Sequence, residues 1–563
     1  MKSQNNSRRS FLQKTLMAAG GIMLAPNFIS CKSDDDINFN IDPTKLETKF
    51  FTEGVASFDP TNSSVIIWTR YSGNTNLISW EVATDANFKN IIRNGEVTTD
   101  ISRDYTIAIE LTELDANKEL YYRFANVADE AISVVGETIT LPIDANTLKL
   151  AVCSCSNYQA GLFNVYDAMA NSDADIIVHL GDYFYEYGAG GYGVNSENAF
   201  LNRLHEPENE ILSLEDYRTR YKQYRSDQSL QLAHQKKPFI CVWDDHEIAN
   251  DAYKDGAENH NQDTEGNYEL RKAYALQAYS EFLPFSRTDQ NNNELIYRTF
   301  NLGNLVNLVM LDTRIIGRDK QLNIFDYFTA SGFDAATYQT AISNTSRTLL
   351  GTTQRDWLIN QINSSNAKWQ VLGQQVLMGK MYIPAEMLLA FGSANFNEIL
   401  AELVAIKLRV LNNDATLTNQ EIARVTTVLP YNLDAWDGYP VEREIIYAAL
   451  ADKKLVTLAG DTHNAWNNTL YAEGGAEVGV ELATAGVSSP GFESFIGDDA
   501  AIISSFEQAL SILIDGLNYF DASRRGYLMA TFTQTEVKSE WVFVSSILTE
   551  NYTAEIGHTV TYS

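Results

Sequence analysis

Five apolar runs in this 563-residue chain end on side chains able to bind metal, and that repetition constrains the fold more than any other feature. "LKLAVCSCSN" ends on Cys153 and Cys155, and "DADIIVHLGDYFYEYG" on Asp182, Tyr183 and Tyr185. "PFICVWDDHEIAND" ends on Asp244, Asp245, His246 and Asn250, "LVNLVMLDTR" on Asp312, and "KKLVTLAGDTHNAW" on Asp461 and His463. An unpaired buried charge costs several kcal/mol, so a single ending of this kind reads as a solvated loop. Five of them call for a different account. Ligands of α/β sheets bind just beyond the carboxyl ends of strands, which predicts a metal site built from these five endings.

The two Gly-Asp pairs, at Asp182 and Asp461, suit that role. Glycine lets the backbone turn sharply at a strand end, and a carboxylate has two oxygens with which to bridge two cations. Oxygen-rich ligands select hard cations. Only seven histidines are present, two of them in these endings, which argues against an all-imidazole zinc site. Neither a G-x-S-x-G elbow nor a phosphate-cradling P-loop occurs, which weakens serine-hydrolase and NTPase readings.

The grammar of the chain changes near residue 144. Residues 46–144 hold short β-branched and aromatic runs separated by Asn, Asp, Gly and Pro, predicting an immunoglobulin- or fibronectin-like β-sandwich. Over 145–555 apolar runs alternate with helical stretches, predicting a layered α/β domain. An amphipathic helical insertion is expected near 385–425.

The amino terminus reads as an address. Residues 1–30 carry Arg8-Arg9 and a short apolar segment, as in a twin-arginine export signal. Cys31 follows as a lipoprotein acceptor cysteine, and 31–45 is an acidic tether. Cys153, Cys155 and Cys241 remain, too few and too irregularly spaced for a disulfide framework. A formal net charge of −31 opposes stable nucleic-acid binding.

The blocks "SCSNYQAGLFNVYDAM", "HLGDYFYEYG", "DYRTRYKQYRSDQ", "PFICVWDDHEIAND", "VMLDTRIIGRDKQ", "WDGYPVEREII" and "LAGDTHNAWNN" together resemble PhoD-type alkaline phosphatases, from about residue 46 to 555. These are calcineurin-like metallophosphoesterases with an N-terminal β-sandwich. The resemblance implies Fe3+ and Ca2+ at the sheet edge. Cys155, Asp182 and Tyr185 match the iron-side ligands, with Asp182 bridging to calcium. Asp245 and Asn250 match the calcium side, and Asp461 and His463 complete the centre. His246 occupies the position that acts on substrate beside the metals, and Arg225 that of a phosphate contact. Cys153 is read as core, and Asp312 and Arg314 as supports, with structural salt bridging.

The implied activity is extracytoplasmic hydrolysis of phosphate esters by a metal-activated water, in a periplasmic or cell-surface lipoprotein anchored to the outer membrane. Two alternatives are a phosphodiesterase specialised for nucleic acid, phospholipid or teichoic-acid-like polymers, and an inactive surface binding protein. Oligomeric state and substrate preference are not legible in the sequence.

Overall fold

The computed structural model describes residues 41–287, 292, 294–330 and 332–563. The export segment, Cys31 and the tether up to residue 40 lie outside these described residues. At Ile41 the chain is already part of the fold, its side chain buried with Ala125 and Ile132.

Two sheets form the centre. The nine-stranded one holds Thr147–Cys153, Ile176–His179 and Phe239–Cys241 as parallel neighbours. The seven-stranded one holds Val306–Met310, Trp369–Gly373, Leu455–Ala459 and Glu477–Ala483 as a parallel core, with antiparallel strands outside. Most of these runs are largely apolar, with a single polar residue each, and are buried along their length, as parallel strands covered on both faces must be.

The period of two sorts each strand between two cores. Leu308, Val371 and Val456 face Val152, Val178 and Ile240 between the sheets. Their neighbours Val309, Leu372 and Leu455 face the other way, against Leu358 and Ile362 of helix Gly351–Ser364 and Ile446 and Leu450 of helix Pro440–Leu450. On the opposite side, helix Leu214–Arg225 opens with a capping box between Ser213 and Asp216 and buries Tyr217, Tyr221 and Tyr224. The layers run helix, sheet, sheet, helix.

The N-terminal β region is a sandwich, and one of its two sheets is shared. Leu77–Ala83, Ile91–Thr98 and Lys118–Asn126 lie in a sheet of their own. Val55–Phe58, Val65–Arg70 and Thr106–Leu111 instead extend the nine-stranded sheet, through Phe58 paired with Phe239. Trp80, Val82, Tyr122 and Phe124 pack on Val55, Ile67 and Ile109 across the gap. A buried ion pair locks the junction. Arg298 donates to both Asp59 oxygens, at 2.8 and 2.7 Å, and to the Cys241 carbonyl at 2.9 Å.

The insertion consists of helices Ala385–Ala390, Phe396–Leu411 and Asn419–Thr426, between the paired strands Tyr382–Pro384 and Val428–Pro430. Leu400, Leu403 and Ile406 seat its long helix in the outer core, with Phe506 and Leu510 of helix Ala500–Leu513.

Candidate metal centre

The carboxyl ends of the parallel strands in both sheets meet at one edge, where Ser154 bridges to Gly486. The turns leaving these strands are unusual. Cys155, Asp182, Asp461 and His463 all have left-handed backbone, with φ between 54° and 65°. Such residues cost of order 1–3 kcal/mol each and persist only where the surroundings over-determine them. Four of the seven candidate ligands lie in this region. The reversal at each strand end is what turns these side chains over the edge. Gly181, before Asp182, has φ 105°, and a Cβ there would stand 2.4 Å from both the Cβ and the amide nitrogen of Asp244. Only glycine fits.

A buried carboxylate holds the turn. Glu247 accepts from the backbone amides of Asp182 at 3.1 Å, Tyr183 at 2.5 Å and Asp244 at 2.7 Å. It fastens the second and third strand endings together.

Six of the seven candidate metal ligands come together at this edge. Ligand atoms of Cys155, Asp182 and His463 lie within 4.8 Å of one another, as do those of Asp182, Asp245 and His246, and of Asp244, Asp245 and Asp461. Asp182 belongs to two groups, as a bridging carboxylate would. The Tyr185 hydroxyl stands 3.0 Å from Asp182 Oδ2 and 2.9 Å from His463 Nε2, and receives a hydrogen bond from Ser489 at 2.7 Å. Asn250 shares the loop, but its side-chain amide donates to Glu258 at 3.2 Å, and its backbone amide donates to Glu186 at 2.8 Å.

Electrostatics show that cations fit here. Burial, with neighbouring carboxylates, drives the Asp461 carboxyl well above the usual range, and burial does the same to Asp182. Burial also pushes Asp244 up to about 7. For Asp245 burial works in the same direction, but Arg314 and His246 outweigh it and hold the group at about 2. Asp182 Oδ1 and Asp244 Oδ2 are buried without a hydrogen-bond partner. Unpaired carboxylate oxygens aimed together, beside a thiol, an imidazole and a phenol, form a donor set suited to metal rather than to a hydrogen-bond network.

Arg314 is the protein's own cation in this cluster. Fully buried, it pairs with Asp244, with Asp434 at 2.8 Å and with Asp461 at 2.9 Å. Arg318 shares Asp434. Asp312 accepts the backbone amides of Arg314 and Ile315, both at 2.9 Å, and so shapes the turn that presents the guanidinium.

Both site histidines have one ring nitrogen fixed. His463 Nδ1 lies 2.7 Å from the Pro490 carbonyl, which makes Nδ1 the donor and leaves Nε2 toward Cys155 and Asp182. Burial brings its pKa down to about 4. His246 Nδ1 lies 2.6 Å from Glu186, whose other oxygen accepts from Asn250 and Asn259. Burial opposes charge on His246, but Glu186, Asp182 and Asp245 outweigh it and raise its pKa.

Arg225 is not brought to the site. Its guanidinium is fully buried over the Trp68 ring, 4.5 Å from the centroid, and donates to the Glu53 carbonyl at 3.2 Å. The helix carrying it turns this position toward the N-terminal strands, so a phosphate contact there is excluded by burial. Cys153 is core, its thiol raised by burial and facing no site residue. Sequence reasoning missed Glu186, Glu247 and Asp434. The first two sit inside quoted motifs, but nothing in spacing separates a clamp from a solvated acid. Asp434 follows only the short strand Val428–Pro430 and carries no such signal.

Two face-packed sheets flanked by helices, with sulfur, nitrogen and carboxylate donors at their shared edge, define a layered α/β protein with a candidate metal centre. The comparisons with known proteins narrow this. The PhoD-like phosphatase family model matches residues 150–541, and the model of that family's N-terminal domain matches residues 38–142. The chain belongs to the PhoD-like phosphatases. It is 34% identical over 494 residues to alkaline phosphatase D of Bacillus subtilis (strain 168), covering 84% of this chain and 74% of that relative. A solved structure of PhoD superposes with TM-score 0.73 at 29% identity, covering 92% of this chain and 91% of the other.

Glu247→Gln keeps the size of the clamp but turns an N–H toward at least one of the three amides. Metal affinity should fall about 10- to 100-fold, as for other residues that orient ligands. Metal content after dialysis against graded chelator measures this, and an unchanged midpoint would show that the clamp is dispensable.

Proposed function

We infer that this PhoD-like phosphatase hydrolyses phosphate esters with water, using residues that converge on Asp182. The observation that carries the reading is the placement of Asp182 in two ligand groups at once. Cys155, Asp182, Tyr185 and His463 would hold Fe3+. Asp182, Asp245 and Asp461 would hold Ca2+, and Asn250, whose side-chain amide donates to Glu258 in this structure, would have to turn its oxygen toward the ion. The split follows donor chemistry, since thiolate, phenolate and imidazole suit a transition metal and an all-oxygen set suits a hard cation. When bound, the metals activate water and neutralise phosphate oxygens.

The chain's own residues orient and protonate. Glu186 holds His246 by Nδ1, which leaves Nε2 as the proton donor toward a leaving oxygen. Arg314 balances Asp244, Asp434 and Asp461, so that these carboxylates coexist in one buried cluster. His246→Ala should slow an alkyl phosphate about 10²- to 10⁴-fold more than a nitrophenyl phosphate, because only the poor leaving group needs the acid. Steady-state kcat on the two esters, with a chelator-treated control, reads this. Equal losses would assign His246 to phosphate or metal positioning.

The iron assignment has its own test. Tyr bound to ferric iron gives a visible charge-transfer colour. Purified enzyme should carry near-stoichiometric iron and absorb in the visible, and Tyr185→Phe should bleach it while the ring still fills its place. Colourless, iron-free enzyme of full activity would remove the iron and leave the hydrolase.

We further propose that residues 1–30 direct export by the twin-arginine route and that Cys31 is acylated, anchoring the enzyme to the outer membrane. No helix among the described residues is long and apolar enough to cross a membrane. Cys31→Ala should move the protein from the membrane to the soluble fraction. Wild-type protein found wholly soluble in its host would end the lipid-anchor reading.

A further inference from the structure

One aromatic ring at the site is both exposed and rigidly held. Tyr192 lies in the glycine-rich run "GAGGYG", and its side chain is 37% exposed. Its carbonyl accepts from two buried amides, Asn157 Nδ2 and Gln159 Nε2, both at 3.1 Å. Asn198 pins the next residue, donating to the Gly193 carbonyl at 2.6 Å. The Tyr192 hydroxyl lies 3.1 Å from His463 Nδ1. The backbone is therefore fixed and the hydroxyl sits against His463, while the ring stays in contact with solvent.

The ring's neighbours show where it stands. Its centroid is 5.6 Å from those of Tyr185 and Tyr187 and 6.2 Å from that of His463. Tyr187 is in turn 5.5 Å from His246, whose Nδ1 is occupied by Glu186. Tyr185 stands 4.2 Å from His246 beside them, and Tyr187 and Tyr192 follow His246 as successive ring neighbours. These two rings form an aromatic wall from the proton donor to the open face of Tyr192. The Tyr185 hydroxyl reaches the Asp182 carboxylate at 3.0 Å.

We propose that Tyr192 is a specificity-determining residue that stacks on the leaving group, and that the enzyme prefers phosphate esters whose leaving group carries an aromatic or heteroaromatic ring. The inference rests on the phosphate-ester reading and adds the substrate class. Aromatic stacking is tolerant of ring identity, because every flat ring offers a π-face. It also needs little conformational ordering when the protein's ring is already held.

A matched pair of substrates tests it. Adenosine 5′-monophosphate and ribose 5-phosphate release the same kind of primary sugar oxygen and differ in the base. The wild-type enzyme should favour the nucleotide by roughly 5- to 100-fold in kcat/KM, the range expected for one stacked base. Tyr192→Ala should bring the ratio near one. Tyr192→Phe keeps the ring and removes the contact to His463, so both rates should fall together and the ratio should persist. A wild-type ratio near one, or a ratio unchanged in Tyr192→Ala, overturns the stacking role. A ratio lost equally in Tyr192→Phe also overturns it, and assigns the residue to holding His463. Failure of metal-loaded wild-type enzyme to cleave either ester, or nitrophenyl phosphate, overturns the hydrolase reading itself and this inference with it.

Discussion

Asp182, Asp244, Asp245, Asp434 and Asp461 crowd around one edge of the molecule, and their mutual repulsion governs what surrounds them. Arg314 reaches three of them directly and Asp245 at 3.8 Å. With Arg318 on Asp434, two guanidiniums still do not balance five carboxylates. Burial and like charge drive several of these carboxyls upward, and two oxygens remain without a hydrogen-bond partner. Bound cations resolve this by supplying charge where the fold supplies only acceptors. The ligand geometry, the raised His246 and the buried arginines all answer to that requirement.

Holding such a cluster together needs a stiff frame. Left-handed backbone at four ligands stores strain, and the two sheets meet that cost by packing their inner faces into one continuous core. Glu247, Glu186 and Pro490 then fix what the strands only bring near. Each binds through atoms that face away from the metal side, which is how outer partners set ligand orientation. The N-terminal β region belongs to this frame. Three of its strands continue the nine-stranded sheet, and Asp59 with Arg298 ties that extension to the seven-stranded one. Breaking a buried pair of this kind leaves an uncompensated charge.

The glycine-rich loop after Tyr187 adds a different property. Cations held by these carboxylates would bind phosphate by its charge, which would leave the inner site indifferent to what the phosphate is attached to. Discrimination has to come from groups outside that charge cluster. Tyr187 and Tyr192 are such groups, standing beside His246 and His463.

The layered fold and most of the ligand set were legible in the sequence because they rest on local rules. Apolar runs of four to seven residues alternating with helical stretches specify parallel strands and crossovers. A Gly-Asp pair at a strand end specifies a carboxylate over the edge. Asp182 and Asp461 follow from this, Cys155, Tyr185, Asp245 and His463 from the other strand endings and the family resemblance, and the structure brings all six side chains to one edge. What the chain could not show locally was decided by pairing between distant segments. Phe58 beside Phe239 merges the β region with the catalytic sheet, and Glu247 reaches back 65 residues to Asp182. Arg225 illustrates the limit. An arginine in a motif looks like a phosphate contact, yet the helix turns it inward onto Trp68, while Arg314 takes the central place among the acids. Sequence sets which side chains are available and how each strand ends. Which way each one faces depends on long-range packing, because a helix rotation or a register shift moves a charge from the site to the core.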